Sequence, residues 1–155
     1  MSIASRVKWF LDVNRVRYEV VAHPQNPEAD GTSPAAIPPG KIAKAVLLAD
    51  DAGYLMPILP EGRRLNLDKL RAELARDLKP ATSEDVLSLF FDCDAGSIPA
   101  AGAAYGIPAI VDDELVGVDD IYFQGGDRED LVHMEGEVFF ELMADGKHAP
   151  FSVAS

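Results

Sequence analysis

The 155-residue chain carries 14 Lys and Arg against 26 Asp and Glu, a formal charge of -12, and 48% of its residues are hydrophobic. This hydrophobic fraction excludes a mostly disordered chain, and no apolar run approaches the roughly 20 residues that a membrane-spanning helix needs. The negative charge argues against nonspecific binding to DNA or RNA, because phosphates repel an acidic surface. The N-terminus lacks the apolar stretch of a signal peptide, so we expect a cytoplasmic protein.

The first third of the chain predicts one helix, one strand and a long loop. Apolar residues at helical spacing indicate an amphipathic N-terminal helix: Ile3, Val7, Phe10 and Leu11. A short β-prone run at 18–22 follows, and five prolines within 24–40 predict a loop with at most one short helical turn. The apolar runs 45–49 and 54–59 flank a turn that contains Gly53, which predicts a β-hairpin.

The remaining pattern predicts three more helices and three more strands. Asn66 is a candidate N-cap for a helix with one apolar face: Leu67, Leu70 and Leu74. A second helix begins near Ser83, with three residues expected to face inward: Val86, Leu87 and Phe90. Strands are predicted over 107–111, 121–123 and 131–134, before a last helix around Phe139. No boundary divides the chain, so residues 1–155 are expected to form one domain, and the alternation favours a mixed α/β sheet.

Residues 96–102, Gly-Ser-Ile-Pro-Ala-Ala-Gly, form the most unusual segment of the sequence. Glycine lets a backbone approach a ligand closely, and proline stiffens a loop. Exposed backbone N–H groups in such a loop could hold a carbonyl, a ribose hydroxyl or a phosphate. The alternative is a tight connection packed against a sheet, and composition alone favours this alternative.

Three basic residues are candidates for contact with phosphate. Lys44 precedes the apolar run 45–49, at the mouth of a predicted buried strand, where an ammonium group can act as a point charge. Arg63 and Arg64 follow the turn at 60–62 and could bind phosphate in the same way. For Lys44 a solvated lysine at a strand end is the more common case, and for the two arginines a solvated turn is at least as common. Residues 41–79 carry eight basic and six acidic side chains, whereas residues 80–155 carry two and 16. Any polyanion is therefore expected to meet the middle third.

No pattern predicts a metal ion or another cofactor. The carboxylate runs 112–114 and 119–120 lack the spacing of a calcium loop. Cys93, the only cysteine, stands between two aspartates, which raise the pKa of a thiol and so disfavour a nucleophile. The three histidines show no paired spacing: His23, His133 and His148.

Six segments in this order resemble the YbaK/ProRS-associated domain family of aminoacyl-tRNA deacylases, from about Tyr18 to about Met143. They read YEVVAHP, IAKAVLLAD, PEGRRLNL, LFFDCDAGSIPAAG, YGIPAIVDDEL and IYFQGGDREDLVHMEGEVFFELM. The resemblance implies a compact α/β domain with a mixed, largely antiparallel sheet and short flanking helices. It also implies trans-editing, in which the ester of a mischarged tRNA is hydrolysed by a protein that acts free-standing or within a synthetase.

The resemblance further implies the site residues. Lys44 matches the lysine that helps to hold the 3′-terminal adenosine, and Gly96 matches the first glycine of the family's G-x-x-x-P loop, whose backbone lies against the acyl ester. Substrate-binding positions then follow: Ser97, Ile98, Pro99 and Ala100. Ala100 stands where the motif has its last proline, so the amino-acid pocket is expected to differ in shape.

Two classes of function remain open from the sequence. In the first, a positioned water attacks the ester, with help from the ribose hydroxyl of the substrate and without a metal or a catalytic triad. The acidic surface then implies contact with the CCA end only, or delivery of the tRNA by a partner such as an aminoacyl-tRNA synthetase. In the second, the protein is a noncatalytic module that binds a nucleotide or a tRNA end. Neither class involves DNA or a membrane.

Overall fold

The computed structural model describes residues 3–22, 37–94 and 96–154. Its four α-helices are α1 Ser5–Val13, α2 Leu67–Leu74, α3 Ser83–Leu89 and α4 Gly136–Ala144. Its strands are β1 Tyr18–Ala22, β2 Ile42–Ala45, β3 Leu48–Asp50, β4 Gly53–Pro60, β5 Arg63–Leu65, β6 Lys79–Pro80, β7 Ala109–Asp112, β8 Asp120–Gln124, β9 Asp130–Glu135, β10 His148–Ala149 and β11 Ser152–Ala154. Short 3₁₀ turns occur at Pro39–Lys41, Gly102–Tyr105 and Asp113–Leu115.

Nine of these strands form one mixed sheet. Its path is β1-β9-β8-β2-β4-β3-β6, with β7 beside β4 and β10 beside β7. The pairs β2–β8, β4–β7 and β7–β10 are parallel, and the other pairs of the sheet are antiparallel. Strands β5 and β11 form a separate antiparallel pair. The prediction of a single α/β domain with a mixed, largely antiparallel sheet is confirmed for the described residues.

Hydrophobic clusters cover both faces of the sheet. Met56 and Ile58 of β4 belong to the larger cluster, whereas Leu55 and Leu59 belong to the smaller one. Neighbouring residues of a strand point to opposite faces, so the two clusters lie on opposite sides of β4. Helices α1 and α4 cover the first side through Val7, Leu11, Phe139 and Met143. Helix α2 covers the second side through Leu70.

The helices predicted to begin after Asn66 and near Ser83 are both present, but one residue predicted to face inward is exposed. The Asn66 side chain accepts a hydrogen bond from the Lys69 amide at 3.1 Å and caps α2 as expected. Thr82, one residue before the predicted start, caps α3 by accepting from the Asp85 amide at 3.1 Å. Phe90 is buried as predicted, but Leu87 is 60% exposed. Leu87 lies one residue, about 100°, around the helix from the buried face, which the i, i+4 pair Val86 and Phe90 occupies.

The predicted hairpin forms, but its first strand is divided. The β3–β4 pairing brings Asp50 opposite Gly53, as expected. The predicted strand over 45–49 is interrupted between β2 and β3, at a position where Val46 donates to the Pro57 carbonyl at 3.2 Å. Pro57 has no N–H to donate to Val46 in return, so the ladder lacks a hydrogen bond here, and this accounts for the break. The loop predicted over 24–40 lies mostly outside the described residues, which resume at residue 37 with the turn Pro39–Lys41 following.

None of the helices in the described ranges is long and apolar enough to cross a membrane.

Candidate functional site

The loop 96–101 lies at the end of the sheet where β2 and β8 finish. These two strands run parallel, so their carboxyl ends lie at the same end of the sheet. The Asp94 amide donates to the carbonyl of Gly126, just beyond β8, at 2.6 Å. The chain therefore enters the loop at this end. Lys44 is the last residue but one of β2, so the structure brings Lys44 and Gly96 to the same end of the sheet.

Gly96 offers an accessible backbone in a conformation that favours glycine. Its φ is +81°, it is exposed, and a Cβ added there would have no described atom within 4 Å apart from its chain neighbours. The Ser97 amide donates to the Asp94 carbonyl at 3.0 Å and closes a turn around it. Since a left-handed φ disfavours residues with a Cβ, backbone geometry and not lack of space accounts for glycine here.

The rest of the loop is mostly packed against the sheet. Ser97, Pro99, Ala100 and Ala101 are buried, and Ile98 is partly exposed. Ala100 and Ala101 belong to the larger hydrophobic cluster, and Ile98 packs against it. The interpretation as a packed connection therefore applies to most of these side chains, whereas Gly96 and Ile98 remain accessible.

Lys44 is partly exposed, and its side chain extends from the face of β2 that is opposite to the larger hydrophobic cluster. Its neighbours Ala43 and Ala45 pack in the larger cluster, and its cross-strand partner is Leu59 of the smaller cluster. Side chains of directly paired residues lie on one face, so Lys44 and the packed side chains of the loop lie on opposite faces. The Lys44 side chain makes no hydrogen bond or ion pair within the described ranges. Its contact with the loop stays a prediction.

The two predicted arginines have different environments. Arg63 Nε donates to Ser152 Oγ at 2.7 Å, and its Nη2 donates to the Ser152 carbonyl at 3.2 Å. Glu114 also lies 3.9 Å from the guanidinium. Arg63 therefore fastens the C-terminal strand β11. Arg64, the next residue along β5, is exposed, and its side chain has no hydrogen bond or ion pair among the described residues.

Both arginines lie at the end of the sheet opposite to Gly96. Strand β4 runs antiparallel to β2, and the pairing of Ala43 with Pro60 puts the end of β4 near the start of β2. Arg63 and Arg64 follow this end within four residues. They are therefore placed to meet a different part of a ligand from the part that reaches the loop.

A hydrogen-bond network that the sequence interpretation missed lies beside the loop. Tyr105 Oη donates to Asp92 Oδ1 at 2.7 Å, and Asp92 Oδ2 accepts from the Arg6 amide at 2.9 Å. Burial opposes ionisation of Asp92, but these two hydrogen bonds, together with those from Cys93 and from its own amide, outweigh burial and lower the pKa of its carboxyl. The 13-residue separation of Asp92 and Tyr105 gives no periodic signal, so only the folded loop shows that they meet.

Cys93 has the properties of a packed thiol. Its Sγ lies 3.3 Å from Tyr105 Oη. Burial raises the pKa of Cys93 to about 12, and the charges of Asp92 and Asp94 add to this effect. The expected direction of the pKa shift is confirmed, although burial is its main cause. The thiolate that nucleophilic chemistry needs is therefore scarce at neutral pH.

Two carboxyl groups beyond β8 have unusual surroundings. Asp127 is buried, and its Oδ1 accepts from the amides of Glu129 and Asp130 at 2.9 and 2.7 Å. Among the described residues, the second carboxylate oxygens of Asp127 and Asp130 are buried and have no hydrogen-bond partner. Burial and the neighbouring Asp127 raise the pKa of Asp130. Within the described ranges no group of three or more His, Cys, Asp or Glu side chains could hold a metal ion.

Comparison with known sequences decides the family. The sequence model of the aminoacyl-tRNA editing domain matches residues 23–142. The chain belongs to the aminoacyl-tRNA editing domain family. The matched range of this editing domain includes Lys44, both arginines and the loop 96–101. No protein of curated function matches the chain.

Solved structures share the fold of this editing domain. A protein proposed as a trans-editing enzyme for prolyl-tRNA synthetase is 22% identical, with a TM-score of 0.75 and 96% of both chains covered. A structure from computational epitope backbone grafting on scaffold proteins is also 22% identical, with a TM-score of 0.77 and coverage of 97% of this chain and 96% of that one. A proposed signal transduction protein from Marinobacter aquaeolei VT8 is 25% identical, with a TM-score of 0.77. That match covers 98% of this chain but only 31% of the longer one.

Proposed function

We propose that residues 1–155 act as one editing domain that deacylates mischarged tRNA in trans. The observation that carries this proposal is the exposed Gly96 backbone, held at φ +81° at the same end of the sheet as the unpaired Lys44, in a chain of the editing-domain family. A loop that exposes its backbone and a cation at the same end of the sheet, on its other face, suit two parts of a terminal nucleotide ester.

The reaction in this proposal is hydrolysis of an ester that is already activated. Water adds to the acyl carbonyl, the bond to the ribose oxygen breaks, and a free amino acid and a tRNA with a free ribose hydroxyl result. Lys44 holds the charged 3′ end, and the backbone at Gly96 lies against the ester. Positioning of this kind can lower the activation barrier of hydrolysis substantially, and it needs no covalent intermediate. Cys93 has no chemical role, because its thiol is protonated at neutral pH.

The exposure of the loop residues limits which of them meet the substrate. Gly96 and Ile98 are accessible and contact the acyl group in this proposal. Ser97, Pro99 and Ala100 are buried and act through the shape of the loop. Ala100, in the position of the family's proline, changes the amino-acid pocket in this indirect way.

The tRNA contact in this proposal is limited to the CCA end and its neighbourhood. The net charge of -12 disfavours a broad RNA interface. The Arg64 side chain is exposed and unpaired among the described residues, so it is the better candidate for a phosphate, whereas Arg63 already donates to Ser152 through Nε and Nη2. A synthetase that delivers the tRNA would compensate for the acidic surface. The cytoplasm, where aminoacyl-tRNA is made, is the expected location.

A second candidate is a noncatalytic module that binds a nucleotide or a tRNA end and regulates other domains. It is favoured by the Marinobacter structure, in which the same fold accounts for 31% of a chain proposed to act in signal transduction. The two candidates differ in whether the bound ester is hydrolysed.

The test is deacylation of a panel of correctly charged and mischarged tRNAs. We expect one mischarged tRNA to be hydrolysed, and Lys44→Ala to lower kcat/KM by about 10²-fold, the cost of losing substrate positioning. Lys69→Ala, which removes an exposed cation of α2, and Cys93→Ala should retain wild-type rates. Binding of tRNA without hydrolysis of any ester would favour the regulatory module. Loss of turnover in a folded Cys93→Ala variant, with Lys44→Ala active, would require a thiol mechanism instead.

A further inference from the structure

The two ends of the loop 96–101 are joined by side-chain hydrogen bonds. Asp92 precedes the loop and Tyr105 follows it, and the bond from Tyr105 Oη to Asp92 Oδ1 is 2.7 Å long. Arg6, in the first turn of α1, makes a second connection between the same two segments. Its amide donates to Asp92 Oδ2 and its Nε donates to the Ala104 carbonyl, both at 2.9 Å. We call Asp92, Tyr105 and Arg6 the loop clasp.

The segment between the loop clasp and Gly96 is also held. The Asp94 amide donates to the Gly126 carbonyl at 2.6 Å, and Asp94 Oδ2 accepts from the Arg128 amide at 3.3 Å. The Asp94 carbonyl accepts from the Ser97 amide at 3.0 Å. The backbone that leads into Gly96 therefore has anchors on both sides.

Gly96 itself has no packing of its own to fix its position. It is exposed, and the space where a Cβ would stand is empty to 4 Å. A glycine has more backbone freedom than any other residue, so its conformation depends on the segments on either side. In this loop those segments are fastened by the clasp.

We propose that Asp92 and Tyr105 are positioning residues for deacylation, which hold the Gly96 backbone where the acyl ester lies without touching the substrate themselves. This inference rests on the proposed function. The Tyr105–Asp92 bond joins a hydroxyl to a carboxylate, and such charge-assisted bonds are short and strong. Tyr105 is only partly exposed, and its hydroxyl contacts Asp92 and Cys93. The hydroxyl therefore stabilises the loop and does not contact a ligand.

The expected consequence of opening the clasp is a loss of rate without a loss of substrate binding. A misplacement of about 1 Å in a reacting geometry can cost about 10²-fold in rate. Lys44 and Arg64 do not contact the clasp, so their part in tRNA binding should persist. A fall in kcat at nearly constant KM is the result that distinguishes positioning from a general loss of folded protein.

The experiment compares Tyr105→Phe with Tyr18→Phe. Tyr18 Oη donates to Asp12 Oδ1 at 3.1 Å, so the control removes the same kind of bond, between β1 and α1 and away from the loop. Hydrogen exchange of the Ser97 amide measures the loop, and deacylation measures kcat and KM. We expect Tyr105→Phe to speed Ser97 exchange and to lower kcat at least about tenfold with little change in KM. Tyr18→Phe should change neither.

Equal Ser97 exchange in Tyr105→Phe and Tyr18→Phe, or equal kcat, would overturn the inference. Urea unfolding must show that both variants are folded. Should Tyr105→Phe fail to fold, Asp92→Asn, which keeps one acceptor oxygen, replaces it with the same expected results. If the wild type hydrolyses no aminoacyl-tRNA, the proposed function fails by itself. The exchange measurement then decides alone whether the clasp holds the loop.

Discussion

A buried carboxylate, Asp112, anchors the C-terminal strand β11 beside its contacts with Arg63 and its pairing with β5. Asp112 is 1% exposed, and its Oδ1 accepts from the amides of Phe151 and Ser152 at 2.9 and 3.0 Å. Its Oδ2 accepts from Ser152 Oγ at 2.7 Å and from the Glu114 amide at 3.1 Å. We predict that Asp112→Asn, which keeps the shape but replaces one acceptor oxygen with a donor, destabilises the fold.

The size of the destabilisation follows from the hydrogen bonds that the asparagine side chain cannot accept. If the new NH₂ group replaces Oδ2, it faces the Glu114 N–H and a Ser152 hydroxyl that already accepts from Arg63. If it replaces Oδ1, it faces two backbone N–H groups. Either orientation leaves about two buried donors without an acceptor, at about 1–3 kcal/mol each. The free energy of unfolding should therefore fall by about 2–6 kcal/mol.

The assay is urea unfolding followed by circular dichroism, with Asp113→Asn as the control. Asp113 is the next residue, is exposed, and contacts His148 at 2.8 Å, so its substitution should change the free energy by less than about 0.5 kcal/mol. For a domain of this size, the loss in Asp112→Asn corresponds to a melting temperature lower by about 4–24 °C. Equal stability of the two variants would refute the assignment of Asp112 as the anchor of β11.

Two further predictions concern the loop backbone and an ion pair. Gly96→Ala and Gly117→Ala should each cost about 1 kcal/mol of stability, because both glycines have open surroundings and a φ near +80°. Only Gly96→Ala should also lower the rate of deacylation. Equal rates in the two variants would show that Gly96 is not part of the site. The Arg76 guanidinium lowers the pKa of Asp50 to about 2, so its stabilising effect is present above the ordinary pKa of 3.8 and lost as pH falls toward 2. Asp50→Asn should therefore flatten the pH dependence of urea unfolding between pH 4 and 2, and an unchanged slope would contradict the assignment.

Local patterns were sufficient to predict the elements that depend on neighbouring residues. The Asn66 cap of α2 and the hairpin turn before Gly53 need only residues within four positions, and both are present. The strands missing from the prediction include two of only two residues each, β6 and β10, which have no room for a periodic pattern. Strand β11 is held by Asp112 and Arg63, 40 and 89 residues away, so its position depends on contacts that no local window contains.

The candidate site shows the same division between local chemistry and long-range contacts. The sequence by itself determined which residue types could meet a nucleotide ester: a lysine beside an apolar run and a loop of glycine and proline, in a chain of an editing family. Only the tertiary structure decided that Arg63 donates to Ser152 and that Arg64 is exposed to solvent. It also decided that a hydrogen bond between Tyr105 and Asp92 joins the two ends of the loop. The physical reason is that a hydrogen bond depends on distance and direction in space. Those are set here by pairings such as β5 with β11 and β2 with β8, whose residues are far apart in the chain.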